Sequence, residues 1–354
     1  MVKNKKNKKA IVTGGAGFIG SHLTDALIKD GFEVVVLDNL LTGKRSQVNK
    51  AAKFVKIDIR NLKKIKPYFK GVDFVFHTAA RARIQPSIKD PVSTFDHNIM
   101  GTLNVLIAAR DAGVKRVVYS SSSTPYGDQD PMPLYEEMTP HFKTPYSLSK
   151  YVGEVLCQLF NNLYGLETVS FRYFNVYGPR QLSTGTYATV VGIFLRQAKE
   201  SKPLTIVGDG NIQRDFTHVY DVVRANVLAA TSKKVGKGEV INIGPGKNYS
   251  INEVAAMILA PNITQSTGGS QARTIAFENS QSRFDLSNRG SSIAKQSGPE
   301  VILASAIRDG RAVYIPPRPA EALQTLANNS KARNLLGWKP TISLEEGLAM
   351  LKSS

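Results

Sequence analysis

Ala10-Ile11-Val12-Thr13-Gly14-Gly15-Ala16-Gly17-Phe18-Ile19-Gly20 is the stretch that decides the fold. An apolar run leads into glycines at 14, 17 and 20, and behind them Leu23, Ala26, Leu27 and Ile28 recur at helical spacing. The local reading is strand, tight turn, helix. Gly14 lets the chain turn sharply off the strand. Gly17 carries no side chain, so a pyrophosphate can approach the helix N-terminus, where free N–H groups and the helix dipole favour anions. Gly20 lets the helix pack close to the sheet. A glycine triplet alone is a weak signal, but its place between a strand and a helix predicts a dinucleotide site. An acidic residue belongs about 20 residues further on, and Asp38 ends the apolar run Val34-Val35-Val36-Leu37.

Outward from this stretch, strand-like and helix-like segments alternate. Residues 32–37, 53–57, 72–76, 117–119 and 167–171 read as strands. Residues 98–112 and 146–164 read as helices, closed by Gly113 and Gly165. This alternation predicts an α/β fold, a Rossmann-type doubly wound parallel sheet. Ligands then bind beyond the carboxyl ends of the strands. After residue 174 short segments with glycine and proline take over, which predicts a smaller C-terminal substrate lobe. A helix at 221–230 and a strand at 240–243 fit a return to the main sheet. The expected division is 1–174 with 218–245 for the nucleotide domain, and 175–217 with 246–354 for the substrate lobe.

Residues 261–304 break the pattern. They are rich in Ser, Gln, Asn, Gly and Arg, and the tripeptide Ile-Leu-Ala stands on both sides, at 258–260 and 302–304. Ser250 and Glu253 make a capping-box pattern that starts a helix. With 261–304 removed, Ile251, Val254, Ala255, Ile258, Leu259, Ala306 and Ile307 continue one stripe, ending at Gly310. The segment therefore reads as a polar insertion within one helix, with a lid over the substrate cleft as the alternative.

Composition narrows the class. The 354 residues are 42% hydrophobic and 21% charged, ordinary values for a globular protein. No apolar run approaches the roughly 18–20 residues of a membrane span. The basic N-terminus precedes an apolar stretch too short for a signal peptide, which predicts a cytoplasmic protein with no membrane contact. The single cysteine, Cys157, excludes an internal disulfide and reads as a buried thiol. The histidines share no ligand spacing, so no metal is expected. Net charge is +18, but five of the lysines fall in the first nine residues. With no aromatic RNA-binding signature and no basic helix, nucleic acid is not expected as a partner.

Tyr146-Ser147-Leu148-Ser149-Lys150 places a phenol and an ammonium one helical turn apart. A phenol is a poor base because its pKa lies near 10. A neighbouring cation favours the phenolate. Alone the pattern is weak, but here it opens the helix after the fifth strand of a dinucleotide fold. A serine cluster at 120–123 lies upstream, and Ser122 or Thr124 is placed to hydrogen-bond a reacting hydroxyl.

With these features together the sequence resembles the extended short-chain dehydrogenase/reductase family, in its NAD-dependent sugar-nucleotide epimerase/dehydratase group. The motifs are TGGAGFIG at 13–20, HTAA at 77–80, SSSSTPYG at 120–127, YSLSK at 146–150, RYFNVYGPRQ at 172–181, QRDFTHVYD at 213–221 and PPRP at 316–319. The resemblance implies NAD as cofactor and 4-epimerisation of UDP-glucose or its N-acetyl form. It implies Tyr146 as acid/base, with Lys150 lowering its pKa and holding the nicotinamide ribose, and Ser122 with Thr124 beside them. It places Gly14, Gly17, Phe18, Ile19 and Gly20 at the pyrophosphate, Asp38 and Asn39 at the adenosine ribose, and Asp58 and Ile59 at the adenine. Ala79, Ala80, Asn98, Ser120 and Phe174 complete the cofactor set. Asn175, Thr189, Val190, Arg214 and Arg318 match positions that grip a UDP-sugar, with Arg83 as a further candidate. Arginines suit bidentate diphosphate recognition, and Asp38 would repel a 2′-phosphate, favouring NAD over NADP.

Sister activities are weighed by the serine motif. Dehydratases of the group carry Asp-Glu, and decarboxylases a Glu, where Ser123 and Thr124 stand here, which favours simple epimerisation. Thr325 holds a position that limits bulk near the sugar's C2 group, and its modest size fits an N-acetyl substituent. Ala320 replaces a glycine usual after the PPRP arginine. The family also implies a homodimer through helices 98–112 and 146–164. The competing class is a non-catalytic NAD-binding scaffold, which does not require Ser122, Tyr146 and Lys150 together.

Overall fold

A computed structural model describes residues 8–260 and 298–353. The strands in chain order are β1 (Lys9–Thr13), β2 (Glu33–Asp38), β3 (Lys53–Lys56), β4 (Phe74–His77), β5 (Arg116–Ser122), β6 (Glu167–Tyr173), β7 (Leu204–Val207), β8 (Gln213–Asp215), β9 (Lys237–Ile243), β10 (Asn248–Ser250) and β11 (Ala312–Ile315). The α-helices are α1 (Phe18–Lys29), α2 (Leu62–Ile65), α3 (Ile84–Lys89), α4 (Pro91–Phe95), α5 (Gly101–Asp111), α6 (Pro145–Tyr164), α7 (Val190–Lys199), α8 (Val219–Thr231), α9 (Ile251–Leu259), α10 (Pro299–Arg308), α11 (Ser330–Leu336) and α12 (Leu344–Lys352).

Seven strands form one sheet in the order β3-β2-β1-β4-β5-β6-β9, and every pairing in it is parallel. Along β1 the side chains alternate between two apolar layers. Ala10 and Val12 join the layer that includes Leu23, Leu27, Ala225 and Trp338, and Ile11 joins the layer that includes Val105, Leu106 and Cys157. Both faces of the sheet are therefore buried, which is why its strands read as unbroken apolar runs. This is the Rossmann-type, doubly wound arrangement. The last strand, β9, pairs with β6 after a long excursion.

That excursion belongs to a separate apolar cluster built from Val191, Phe194, Leu204, Ile206, Val254 and their neighbours. Two small sheets accompany it, β8 with β10 antiparallel and β7 with β11 parallel. The capping box at Ser250 and Glu253 forms as its spacing predicts.

Two local readings need revision. The helix expected over 98–112 begins as a π-helical turn, Asp96–Met100, before α5 continues it. The stretch on either side of the proposed insertion is two helices: α9 ends at Leu259, and Pro299–Ala304 are already the first turns of α10. Leu303 and Ala306 join the cluster of Val254, Ala255 and Ile258, whereas Ile307 is exposed. Residues 261–297 of the proposed insertion lie outside the described residues.

Candidate active site

The turn after β1 is shaped by what a side chain would strike. Gly14 has φ +71, and a Cβ there would lie 2.7 Å from the backbone of Ala79. A Cβ on Gly20 would meet the Gly14 carbonyl oxygen at 2.3 Å and Thr78 Oγ1 at 2.8 Å. α1 thus packs directly on the turn and on the end of β4. Gly17 is the N-cap of α1, and no side chain caps that end. Asp38, at the end of β2, accepts from the amides of Ala16 at 3.0 Å and Leu40 at 2.7 Å. Burial raises its pKa, against the pull of those two amides.

A cleft of about 470 Å³ runs from this turn, across the carboxyl ends of β4, β5 and β6, to the second apolar cluster. Gly14, Gly17, Phe18, Ile19, Gly20, Asp38, Asn39, Ile59, Ala79, Ala80 and Ser120 line one part. Arg83, Ser122, Thr124, Tyr146, Lys150, Asn175, Thr189, Val190, Arg214 and Arg318 line the rest.

Tyr146 sits in the first turn of α6, which opens on a Thr144–Ser147 capping box with Pro145 behind it. Burial raises the pKa of its phenol, while the charge of Arg83 and a hydrogen bond with Ser122 lower it. Ser122 Oγ in turn accepts from the amide and the hydroxyl of Thr124, at 3.2 and 3.1 Å. Lys150, one turn along α6, donates from Nζ to the Ser120 carbonyl at 2.7 Å and lies 5.0 Å from the Tyr119 ring centre. Burial pushes its ammonium down to about 8, against the pull of Glu154 and Cys157.

Three residues of the expected cofactor set do not line the cleft. Phe174 is fully buried, packed with Tyr126, Leu134 and Ala327. Asp58 is tied to Asn39 Nδ2 at 3.0 Å and to Arg60. Asn98 lies in the π-helical turn, where its Oδ1 accepts from the Arg81 amide at 2.8 Å and its Nδ2 donates to the Arg81 carbonyl at 3.1 Å and to Ser149 Oγ at 3.0 Å. It holds the loop after β4 against α6 rather than facing the cleft.

At the other end, Arg214 approaches Glu321 at 3.6 Å. Thr189 caps α7 through the Gly192 amide and donates to Gln181 Oε1 at 2.7 Å. Asn175 Nδ2 donates to Thr325 Oγ1 at 3.2 Å, and Thr325 itself is buried behind the cleft wall. Ala320 keeps a left-handed backbone, φ 61, so alanine occupies a conformation suited to glycine. Sequence reasoning missed Tyr187 and Glu321, which also line the cleft. Glu321 carried a signal, an acid three residues after Arg318, but Tyr187 contributes its backbone carbonyl, which no residue pattern marks.

Residues 10–244 match the sequence profile of the NAD dependent epimerase/dehydratase family. The chain belongs to that family. The UDP-glucuronate 4-epimerase of Thermodesulfobacterium geofontis is 34% identical over 354 residues, covering 96% of this chain and 93% of the relative. The UDP-glucose 4-epimerase of Mycolicibacterium smegmatis is 33% identical over 349 residues, with 96% of each chain covered. Among solved structures, the UDP-glucose 4-epimerase of Thermotoga maritima with UDP-glucose matches with TM-score 0.80 at 33% identity, covering 98% of this chain and 97% of that one.

NAD is the cofactor of this epimerase/dehydratase family, and the site fits it. The bare N-terminus of α1 suits the pyrophosphate, the cradle at Gly14 and Gly20 admits no side chain, and Asp38 reaches the cleft where it would oppose a 2′-phosphate. His77, at the end of β4, has its ring nitrogens 2.7 and 2.9 Å from the hydroxyls of Thr13 and Thr102. Burial, with the Lys150 charge second, pushes it down to about 3, which makes it a neutral strut. Among the described residues no helix is long and apolar enough to cross a membrane.

Proposed function

We propose that this chain catalyses the NAD-dependent 4-epimerisation of a UDP-hexose. The observation that supports it most directly is that Tyr146, Ser122 and Lys150 line one cleft with the glycine turn, Arg214 and Arg318. Bound NAD⁺ supplies a hydride acceptor at C4 of the sugar that later returns the hydride. Tyr146, as phenolate, takes the proton of the 4-hydroxyl, and Ser122 steadies the same oxygen by a hydrogen bond. Lys150 and Arg83 are the two cations that favour the phenolate. Arg214 and Arg318 hold the diphosphate with Asn175, Thr189 and Val190. After the 4-keto sugar turns in the pocket, Tyr146 returns the proton, so the net reaction changes only the configuration at C4.

The serine motif supports epimerisation over its sister reactions, because Ser123 and Thr124 stand where elimination or decarboxylation needs a carboxylate. A homodimer is part of this reading. Val155, Leu159 and Leu163 are exposed along one stripe of α6, with Met100 exposed before α5. The NMR spectrum of NAD-loaded protein incubated with UDP-glucose, UDP-N-acetylglucosamine and UDP-glucuronate tests the proposal. Interconversion at C4 is expected. Loss of carbon dioxide or water would assign a sister activity, and bound NAD with no turnover would leave the scaffold reading standing.

A further inference from the structure

We propose that the sugar this site takes is a hexuronate, and that Arg83 selects it by pairing with the carboxylate on C5. The proposal rests on the 4-epimerase reading above and narrows its substrate class.

Arg83 lies in the loop between β4 and α3 and lines the cleft. Its Nε donates to the Tyr187 carbonyl at 2.9 Å. This bond fixes the plane of the guanidinium and leaves the two terminal nitrogens without a protein partner among the described residues. The loop itself is fixed, because Asn98 bonds both the amide and the carbonyl of Arg81. Arg83 and Tyr146 line the same cleft, and the Arg83 charge acts on the phenol that takes the 4-hydroxyl proton in the reading above.

Among the described residues no carboxylate forms an ion pair with this cation. The carboxylates lining the cleft are Asp38 and Glu321. Asp38 is engaged by the amides of Ala16 and Leu40, and Glu321 lies beside Arg214. The diphosphate already has Arg214 and Arg318, so Arg83 is surplus to it.

The substrate's own geometry supplies the missing partner. Carbon 5 is bonded to carbon 4, so its substituent lies beside the 4-hydroxyl. In a neutral hexose that substituent is a hydroxymethyl group, which would cover the guanidinium without pairing its charge, an unfavourable burial. In a hexuronate it is a carboxylate, which accepts two N–H bonds from a guanidinium fork. Arginine at this position therefore adds recognition that a neutral sugar cannot use.

The test is a comparison of kcat/KM on the full-length, NAD-loaded protein with UDP-glucuronate, UDP-glucose and UDP-N-acetylglucosamine. UDP-glucuronate is expected to exceed both others by about tenfold or more. In Arg83→Met the UDP-glucuronate to UDP-glucose ratio is expected to fall about a hundredfold, with partial recovery in Arg83→Lys. A wild-type preference for either neutral sugar would overturn the assignment. So would an Arg83→Met variant that lowers all three substrates by one factor, which would place Arg83 at the diphosphate or at Tyr146 alone. Absence of turnover with every sugar would instead refute the 4-epimerase reading. The wild-type comparison needs no variant, so a variant that fails to fold does not leave the question open.

Discussion

The Ser121 hydroxyl donates to Glu154 Oε1 at 2.5 Å, joining β5 to the buried face of α6 one turn beyond Lys150. Glu154 also receives Nε and Nη2 of Arg172, at 3.0 and 2.7 Å. Both side chains are almost wholly buried, 2% and 3% exposed. The Arg172 guanidinium lies 4.5 Å from the centre of the Tyr126 ring. A strand whose serines line the cleft is thus locked to the helix carrying Tyr146. Glu154→Gln leaves Arg172 charged and unpaired in the core and is expected to destabilise the protein by about 3–5 kcal/mol. Replacing both partners by methionine is expected to cost less. Urea denaturation of the two variants measures the difference, and an equal loss in both would contradict the buried-charge argument.

Tyr146→Phe removes the proposed acid/base and little volume. Turnover is expected to fall by about 10²–10⁴, while NAD stays bound. NMR turnover and the NAD content of the purified variant give the two readouts. Retained activity would exclude Tyr146 as the base.

Gly20→Ala drives a methyl group into the Gly14 carbonyl at 2.3 Å. The obstacle is backbone, which has no rotamer to move. The expected outcome is a loss of about 1–3 kcal/mol together with a sharp fall in NAD occupancy. Thermal unfolding with and without added NAD separates the two effects, because a cradle that no longer binds gives no shift with cofactor.

Asp215 predicts a pH dependence. Its Oδ2 accepts from the amides of Gly246 and Ala327, each at 2.9 Å, and its Oδ1 has no partner among the described residues. Burial, opposed by those amides, pushes its carboxyl up to about 7 from 3.8. Between these values the folded chain holds a proton that the unfolded chain has released. Stability from this group is therefore full below pH 3.8 and declines as pH rises to about 7, by on the order of 4 kcal/mol in total. Asp215→Asn removes the titration. Unfolding free energies from pH 4 to 8 are expected to fall less steeply in the variant than in the wild type, and parallel profiles would reject the assignment.

Leu159 is 44% exposed in the middle of the apolar stripe on α6. If that stripe is covered by a second copy of the chain, Leu159→Glu places a charge in the seam. Sedimentation is expected to show a dimer for the wild type and a monomer for the variant, and a monomeric wild type would remove the homodimer from the proposal.

What was legible in the sequence was local and periodic. The apolar runs and the glycine spacing report the sheet because each depends on neighbours within a few residues. Phe174 shows where that logic stops. It is flanked by Tyr173 and Asn175, which line the cleft, yet its own side chain turns into a separate cluster. Residues adjacent in an extended chain face opposite ways, so membership of a motif does not place every side chain in the site. Arg83 shows the other limit. Its anchor is the carbonyl of Tyr187, far along the chain, and a backbone acceptor leaves no mark in the residue pattern. The flanks of the proposed insertion show a third limit. The apolar spacing of Leu303 and Ala306 fits burial against α9 as well as it fits continuation of it.

The place of β9 has a consequence for how the chain is made. Tyr173 on β6 is partnered by Ile243 on β9, and the intervening residues include much of the small sheets and α7. A nascent chain halted before residue 237 leaves β6 as an open edge, a template for pairing with other chains. Loop closure over such a distance also slows formation of the last strand. The segment from β1 to β6 is thus not a separable module in synthesis or in expression, since its sheet is completed only by strand residues delivered after α7 and α8.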